Sequence, residues 1–136
     1  MKKDKLEICN EIIKTCIEME SRGINQGTSG NLSIRYKNSF LITPSSIPYN
    51  EMTPEDIVEM DWEGGFIGKQ PSSEWRFHRD ILKSRNDINV VLHCHSINAT
   101  SLSCHNRDIP AFHYIVGIAG GNNIRCAKYA TFGSQE

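Results

Sequence analysis

Ile8, Ile12, Ile13, Cys16 and Met19 recur at three- and four-residue spacing, so residues 3–22 are predicted to form one helix with a single apolar stripe. Gly23 is its natural stop. Beyond it the period changes. Residues 32–36 alternate as a strand, Lys37-Asn38-Ser39 is a turn, and residues 40–43 return as a second strand, so the pair reads as a hairpin. Thr53-Pro54-Glu55-Asp56 has a cap residue followed by proline, the pattern of a short helical turn. Strands follow at 57–60 and 66–67 around Gly64-Gly65. Ser72 or Ser73 is expected to cap a helix running to about residue 84, with Phe77, Ile81 and Leu82 on its buried face. Residues 89–95 read as a strand, 96–104 as a helix, and 110–118 as an apolar stretch. The elements alternate without a clean βαβ rhythm. The expected fold is therefore an α/β layered domain, with a mixed, mainly antiparallel central sheet flanked by helices, covering residues 1–136 as one domain.

Composition narrows the function. The chain has 136 residues, 38% hydrophobic and 23% charged, with net charge −1 and a pI near 6.5. That balance excludes bulk electrostatic attraction to nucleic acid or to an anionic membrane. No run approaches the ~18 apolar residues of a membrane span. The basic start Met1-Lys2-Lys3-Asp4-Lys5 is not followed by the apolar segment of a signal peptide. Five cysteines without a C-x-x-C pair read as free thiols in a reducing cytoplasm. Cys9 and Cys16 are expected to pack inside the first helix.

The sharpest chemical signal is His93-Cys94-His95, behind Val90-Val91-Leu92. Residues two apart in a strand share a face, so both imidazoles can reach one metal while Cys94 turns to the core. The bland alternative is two satisfied polar groups on a strand. Glu74 opens the helix of residues 72–84, where a carboxylate serves either as dipole partner or as a general base beside a metal. Glu74 and His78 stand four residues apart on one helix face, a spacing that also suits a plain polar pair. His105 and His113 read as surface or rim groups. Three segments are rich in donors: Gly27-Thr28-Ser29-Gly30-Asn31, Thr43-Pro44-Ser45-Ser46, and Ser72-Ser73 at a helix start. Each alone is an ordinary turn. Together with a possible metal pair they suggest a small phosphorylated ligand, held at its phosphate and chelated at its far end.

In their order along the chain, Gly27-Thr28-Ser29-Gly30-Asn31-Leu32-Ser33, Leu41-Ile42-Thr43-Pro44-Ser45-Ser46-Ile47-Pro48-Tyr49, Ser72-Ser73-Glu74-Trp75-Arg76-Phe77-His78 and His93-Cys94-His95 resemble the class II aldolase and adducin family. The likeness continues through Ile109-Pro110-Ala111-Phe112-His113-Tyr114 and Tyr129-Ala130-Thr131-Phe132-Gly133. It is strongest to members that cleave L-fuculose 1-phosphate to dihydroxyacetone phosphate and L-lactaldehyde. The resemblance implies a Zn2+ ion bound by His93 and His95, with Glu74 as ligand to the resting metal and acid/base at the enediolate carbon. It implies phosphate contacts from Gly30, Asn31, Ser45, Ser46, Ser72 and Ser73. Tyr114 would handle the proton on the C4 oxygen and Phe132 would wall the aldehyde side. Both would reach the site of a neighbouring subunit in a homotetramer.

Two departures accompany the resemblance. Ser46 stands where these members usually carry glycine. The family's third histidine ligand, last strand and C-terminal helices would follow roughly twenty residues or more beyond the end of the chain. The 136 residues alone are accordingly expected to bind zinc weakly and to cleave little substrate. Alternative readings within the family are a sugar-phosphate epimerase or dehydratase; a reading of another class is a non-catalytic structural module.

Overall fold

The computed structural model describes residues 4–134. Helix α1 spans Lys5–Ser21. A capping box starts it: Asp4 Oδ1 accepts from Glu7 N–H at 2.8 Å, and Glu7 Oε2 accepts from Asp4 N–H at 3.3 Å. Gly23, just past the helix, has φ +68°, the left-handed conformation that ends helices without a Cβ penalty. The predicted helix begins at residue 3, which lies outside the described residues.

Strands β1 (Asn31–Tyr36) and β2 (Ser39–Ile42) form the expected hairpin, pairing Ser33 with Ile42 and Tyr36 with Ser39. Strands β3 (Val58–Met60) and β4 (Phe66–Ile67) extend it on one side, and β5 (Val90–His93) lies against β1 on the other. The sheet order is β4-β3-β2-β1-β5, and every described pairing is antiparallel. Short 3-10 turns occupy Tyr49–Glu51 and Pro54–Asp56; in the second, the Asp56 carboxylate accepts from the Thr53 N–H and hydroxyl. Helix α2 is Trp75–Ser84, and α3 is Ile97–Cys104 with Ser96 before it. A further 3-10 segment, Tyr114–Ala119, starts where His113 Nδ1 accepts from Ile115 N–H.

The period-2 alternation of the strands sorts side chains between two layers. On one face Leu32 and Leu41 pack with Cys9, Ile12 and Cys16 of α1 and with Tyr49, Met52 and Ile57. On the other, Phe40, Ile42, Val58, Met60 and Val91 pack with Leu82 of α2. Cys9 and Cys16 are thus core residues, and burial pushes the Cys16 thiol up to about 12. All five cysteines are free.

Helix α2 seats differently from the expectation. Its first helical residue is Trp75 and Glu74 is the cap position, so Glu74 stands outside the first turn. Leu82 is buried as expected and Phe77 partly so, but Ile81 is exposed and His78 fills the inner face instead. A polar pocket left by Ser33 and Asn31 accounts for the exchange, because only a ring with two hydrogen-bonding atoms satisfies both. Arg35 anchors the other end: its Nη2 donates to the carbonyls of Leu82, Arg85 and Ile88, where α2 ends. No described helix is long and apolar enough to cross a membrane.

Candidate functional site

The β1–β5 ladder sets Asn31 directly opposite His93. Paired antiparallel residues project to the same face, so an amide from the Gly27–Asn31 loop and an imidazole from the histidine pair meet across two strands. The expected strand runs through His95. The observed one stops at His93, because β1 begins at Asn31 and offers no ladder partner to residues 94–95. His95 is instead held by its backbone: its N–H donates to Asn25 Oδ1 at 3.1 Å. Cys94 is half-buried and belongs to neither described core cluster, against the expectation of a core side chain.

His93 and His95 nevertheless converge. Their Nε2 atoms are 2.8 Å apart and their rings meet edge-on at 4.7 Å. Glu74 Oε2 is 3.5 Å from His93 Nε2. Burial holds His93 below the ordinary imidazole range, partly opposed by the Glu74 carboxylate and reinforced by His95. A neutral imidazole is the ligating form. Two nitrogens bound to one tetrahedral zinc at ~2.0–2.1 Å would stand about 3.3 Å apart, so the pair needs only a small opening to share a cation. Among the described residues no group of three His, Cys, Asp or Glu closes into a metal-holding set. The imidazole pair with Glu74 beside it therefore suits part of a ligand set.

Thr28, Gly30, Asn31, Ser45, Ser46, Ser72, Ser73, Glu74, His95 and Phe132 line one pocket of about 290 Å³. The second and third of the donor-rich segments, about 27 residues apart, meet there because Pro44 and Pro71 bridge in antiparallel fashion, with Ser45 N–H donating to Gln70 O and Ser72 N–H to Thr43 O. The Ser72 N–H is consequently spent on the backbone. The donors along the pocket include the hydroxyls of Thr28, Ser45, Ser46, Ser72 and Ser73, and the Asn31 amide. Ser72 Oγ accepts from Glu74 N–H at 3.3 Å, which leaves its own O–H free to donate. Ser29, exposed and also in the pocket lining, has its Oγ 2.7 Å from Gln26 O and 3.0 Å from Asn25 Oδ1. Gly30 is required by close approach, since a Cβ there would stand 2.8 Å from His93 O and overlap the Asn25 amide.

Tyr114 is 82% exposed and outside this pocket, beside Phe112 and His113. Phe132 lies at the rim of its own chain's pocket, whereas the resemblance implies a neighbouring subunit's; Arg76 Nη1 donates to Gly133 O and draws that segment over Ser73. His105 and His113 are exposed. His78 is separated in role from Glu74: it is fully buried and contacts Ser33 and Asn31. Two supporting residues lie outside the site expected from the sequence, although Tyr49 belongs to a segment that carries the resemblance. Asn25 Nδ2 donates to Tyr49 Oη at 2.8 Å, and Tyr49 O–H donates to Gly30 O at 2.7 Å. Both are buried, and they tie the Gly30 loop to the backbone of His95.

The described elements thus place a hydroxyl-lined pocket, with Glu74 and His95 in its wall, beside an antiparallel sheet covered by helices. Residues 10–136 match the Class II Aldolase and Adducin N-terminal domain, and the chain belongs to that family. It is 51% identical over 134 residues to the L-fuculose phosphate aldolase of Escherichia coli K12, covering 98% of this chain and 62% of that protein. It is 48% identical over 134 residues to the 5-methylthioribulose-1-phosphate/5-deoxyribulose-1-phosphate aldolase of Escherichia coli O45:K1, covering 98% of this chain and 63% of that one. A solved L-fuculose 1-phosphate aldolase superposes with a TM-score of 0.89 at 36% identity, over 99% of this chain and 64% of that chain. The chain thus spans somewhat under two thirds of these relatives' length.

Proposed function

We propose that this chain carries the phosphate seat and part of the metal centre of an aldolase that cleaves L-fuculose 1-phosphate to dihydroxyacetone phosphate and L-lactaldehyde. The observation that supports this is one pocket with hydroxyl and amide donors along its wall and Glu74 and His95 among its lining. Asn31, Ser45, Ser46, Ser72 and Ser73 bind the phosphate, with Gly30 letting the backbone come close. His93 and His95, with Glu74, hold a zinc ion. When bound, that ion supplies Lewis-acid polarisation of the C2 carbonyl. Glu74 carries the proton at C3, the carbon left electron-rich when the C3–C4 bond breaks. Phosphate binding holds C3 in reach of Glu74 and prevents the small ketose from tumbling. Tyr114, exposed on its own chain, serves the C4 oxygen in a neighbouring subunit's site within a homotetramer; Phe132 walls the aldehyde side. The whole forms one domain and works in the cytoplasm.

The name of the 48%-identical relative supports a second substrate reading, a 5-deoxy or 5-methylthio pentulose 1-phosphate. Both readings share the dihydroxyacetone phosphate half and differ in the aldehyde. The test measures dihydroxyacetone phosphate released from each ketose phosphate by the zinc-loaded protein. It is run on the 136-residue chain and on that chain joined to the C-terminal segment of the Escherichia coli K12 relative. Release from L-fuculose 1-phosphate at the higher kcat/KM supports the first reading, and preference for the pentulose supports the second. No release by either form, with zinc bound, would sink the aldol reading.

A further inference from the structure

His78 is the one fully buried imidazole among the described residues, and both of its ring nitrogens are engaged. Nδ1 lies 2.8 Å from Ser33 Oγ and Nε2 lies 2.5 Å from Asn31 Oδ1. Asn31 and Ser33 are two apart on β1 and project to the α2 side, so one ring on the facing helix spans both. Burial pushes His78 down to about 3, so the ring is neutral and carries a single N–H.

With the Asn31 amide oriented as it is, one proton arrangement satisfies this chain of contacts. Asn31 Oδ1 has no proton to give, so the ring N–H must sit on Nε2 and donate to it. Nδ1 is then an acceptor, and the Ser33 hydroxyl donates to it. The opposite tautomer would set two lone pairs face to face in a buried site, a costly arrangement. It would be relieved only by turning the amide over. With Oδ1 committed to His78, the Asn31 NH2 is the end left for the pocket. Asn31 lines that pocket, and among the described residues nothing accepts from its Nδ2. An NH2 group attracts a phosphate; a carbonyl oxygen in its place would repel it.

We infer that His78 is a positioning residue for anion binding: by donating its Nε2–H to Asn31 Oδ1 it fixes which end of the amide faces the ligand, and the Ser33 hydroxyl, bonded to Nδ1, holds the ring in place for it. This assignment rests on Asn31 being a phosphate ligand, as proposed above. His78 touches neither substrate nor metal ligand in this role; it acts through Asn31.

The test titrates inorganic phosphate and dihydroxyacetone phosphate into the protein and its variants at about pH 7.5, where the His78 ring is neutral, with melting temperatures recorded alongside. A long-range proton–nitrogen correlation spectrum reads the His78 tautomer directly. Gln places an NH2 where Nε2 stood, whereas Asn reaches only the Nδ1 position. His78→Gln should therefore keep phosphate affinity within about twofold, while His78→Asn loses about tenfold. Ser33→Ala, which contacts no ligand, should lose about threefold or more, and the wild-type spectrum should show Nε2–H. Wild-type affinity in both His78→Asn and Ser33→Ala, with Asn31→Ala still weakened, would overturn the inference and leave the phosphate seat standing. Equal losses in His78→Gln and His78→Asn that track melting temperature would reduce His78 to packing and also overturn it. An Nδ1–H spectrum does the same. Should His78→Asn fail to fold, Ser33→Ala and the spectrum decide. Unchanged binding in Asn31→Ala would remove the phosphate seat itself, and this inference with it.

Discussion

Glu74 stands 3.5 Å from an imidazole that burial keeps neutral, in the wall of a pocket whose other lining groups are mainly uncharged hydroxyls and amides. Beside its place in the proposed metal site, a carboxylate so placed can hold a proton near the carbon that gains electrons. Glu74→Gln should therefore cut turnover in the active protein by about a hundredfold or more, with KM changed far less, because the phosphate donors remain. Steady-state kinetics of dihydroxyacetone phosphate release checks it, and near wild-type kcat would refute the role. Ser46 presents a different residue-scale problem. Its φ is +62°, a conformation that glycine takes freely and serine does not. Serine at this position thus has a physical cost. Ser46→Gly should stabilise the fold by about 0.5–1 kcal/mol in urea unfolding, unless the loop rearranges. Loss of stability would mean that the hydroxyl contact to Ser45, 3.2 Å away, outweighs the backbone strain.

At the scale of elements, α2 does two jobs through its start and its inner face. Its start presents Glu74 to His93 and its inner face presents His78 to β1. Leu82, fully buried against Phe40, Ile42 and Val91, and Arg35, bonded to the last carbonyls, hold the helix at the depth both jobs require. Leu82→Ala should cost about 2–5 kcal/mol, the range for emptying a well-packed leucine site. It should also lower phosphate affinity, since a helix that settles into the cavity takes His78 with it. Chemical denaturation and phosphate titration of the same variant check the two effects together. A large stability loss with unchanged affinity would show that the seat does not depend on helix depth.

For the whole molecule, the buried neutral imidazole sets a pH dependence. His78 is pushed from an ordinary 6.5 down to about 3 in the folded chain. Below pH 6.5 the unfolded chain takes up a proton that the folded chain refuses, so stability rises with pH across this window. The contribution is fully present above about 6.5 and is lost as pH falls toward 3. The slope for one proton is at most about 1.4 kcal/mol per pH unit. Asp56 and Glu59, whose carboxyls Lys69 and Lys5 hold below the usual range, act in the same direction at the acid end. Urea midpoints measured from about pH 7.5 to about pH 4 should fall steadily in the wild type and more shallowly in His78→Gln. Parallel curves for the two would show that His78 is not the group responsible.

Elements held together by neighbours in the chain are legible in the sequence alone. The stripe of α1, the Gly23 stop, the hairpin around Lys37-Asn38 and the Thr53-Pro54 turn depend on period, capping and turn chemistry, which act over a few residues. The donor-rich loops and the His93/His95 pair are legible for the same reason. The tertiary structure alone decides what those residues meet. Strand β5 stops at His93 because β1 starts at Asn31, far earlier in the chain. Glu74 stands at the position before α2 instead of entering its first turn, and Ile81 yields the inner face to His78, because the helix must satisfy Ser33 and Asn31 on a strand more than forty residues away. Asn25 and Tyr49 support the site only because the sheet brings Gly30 and His95 beside them. Spacing along the chain carries no information about such contacts. They are set by sheet register and by the demand that every buried polar atom find a partner.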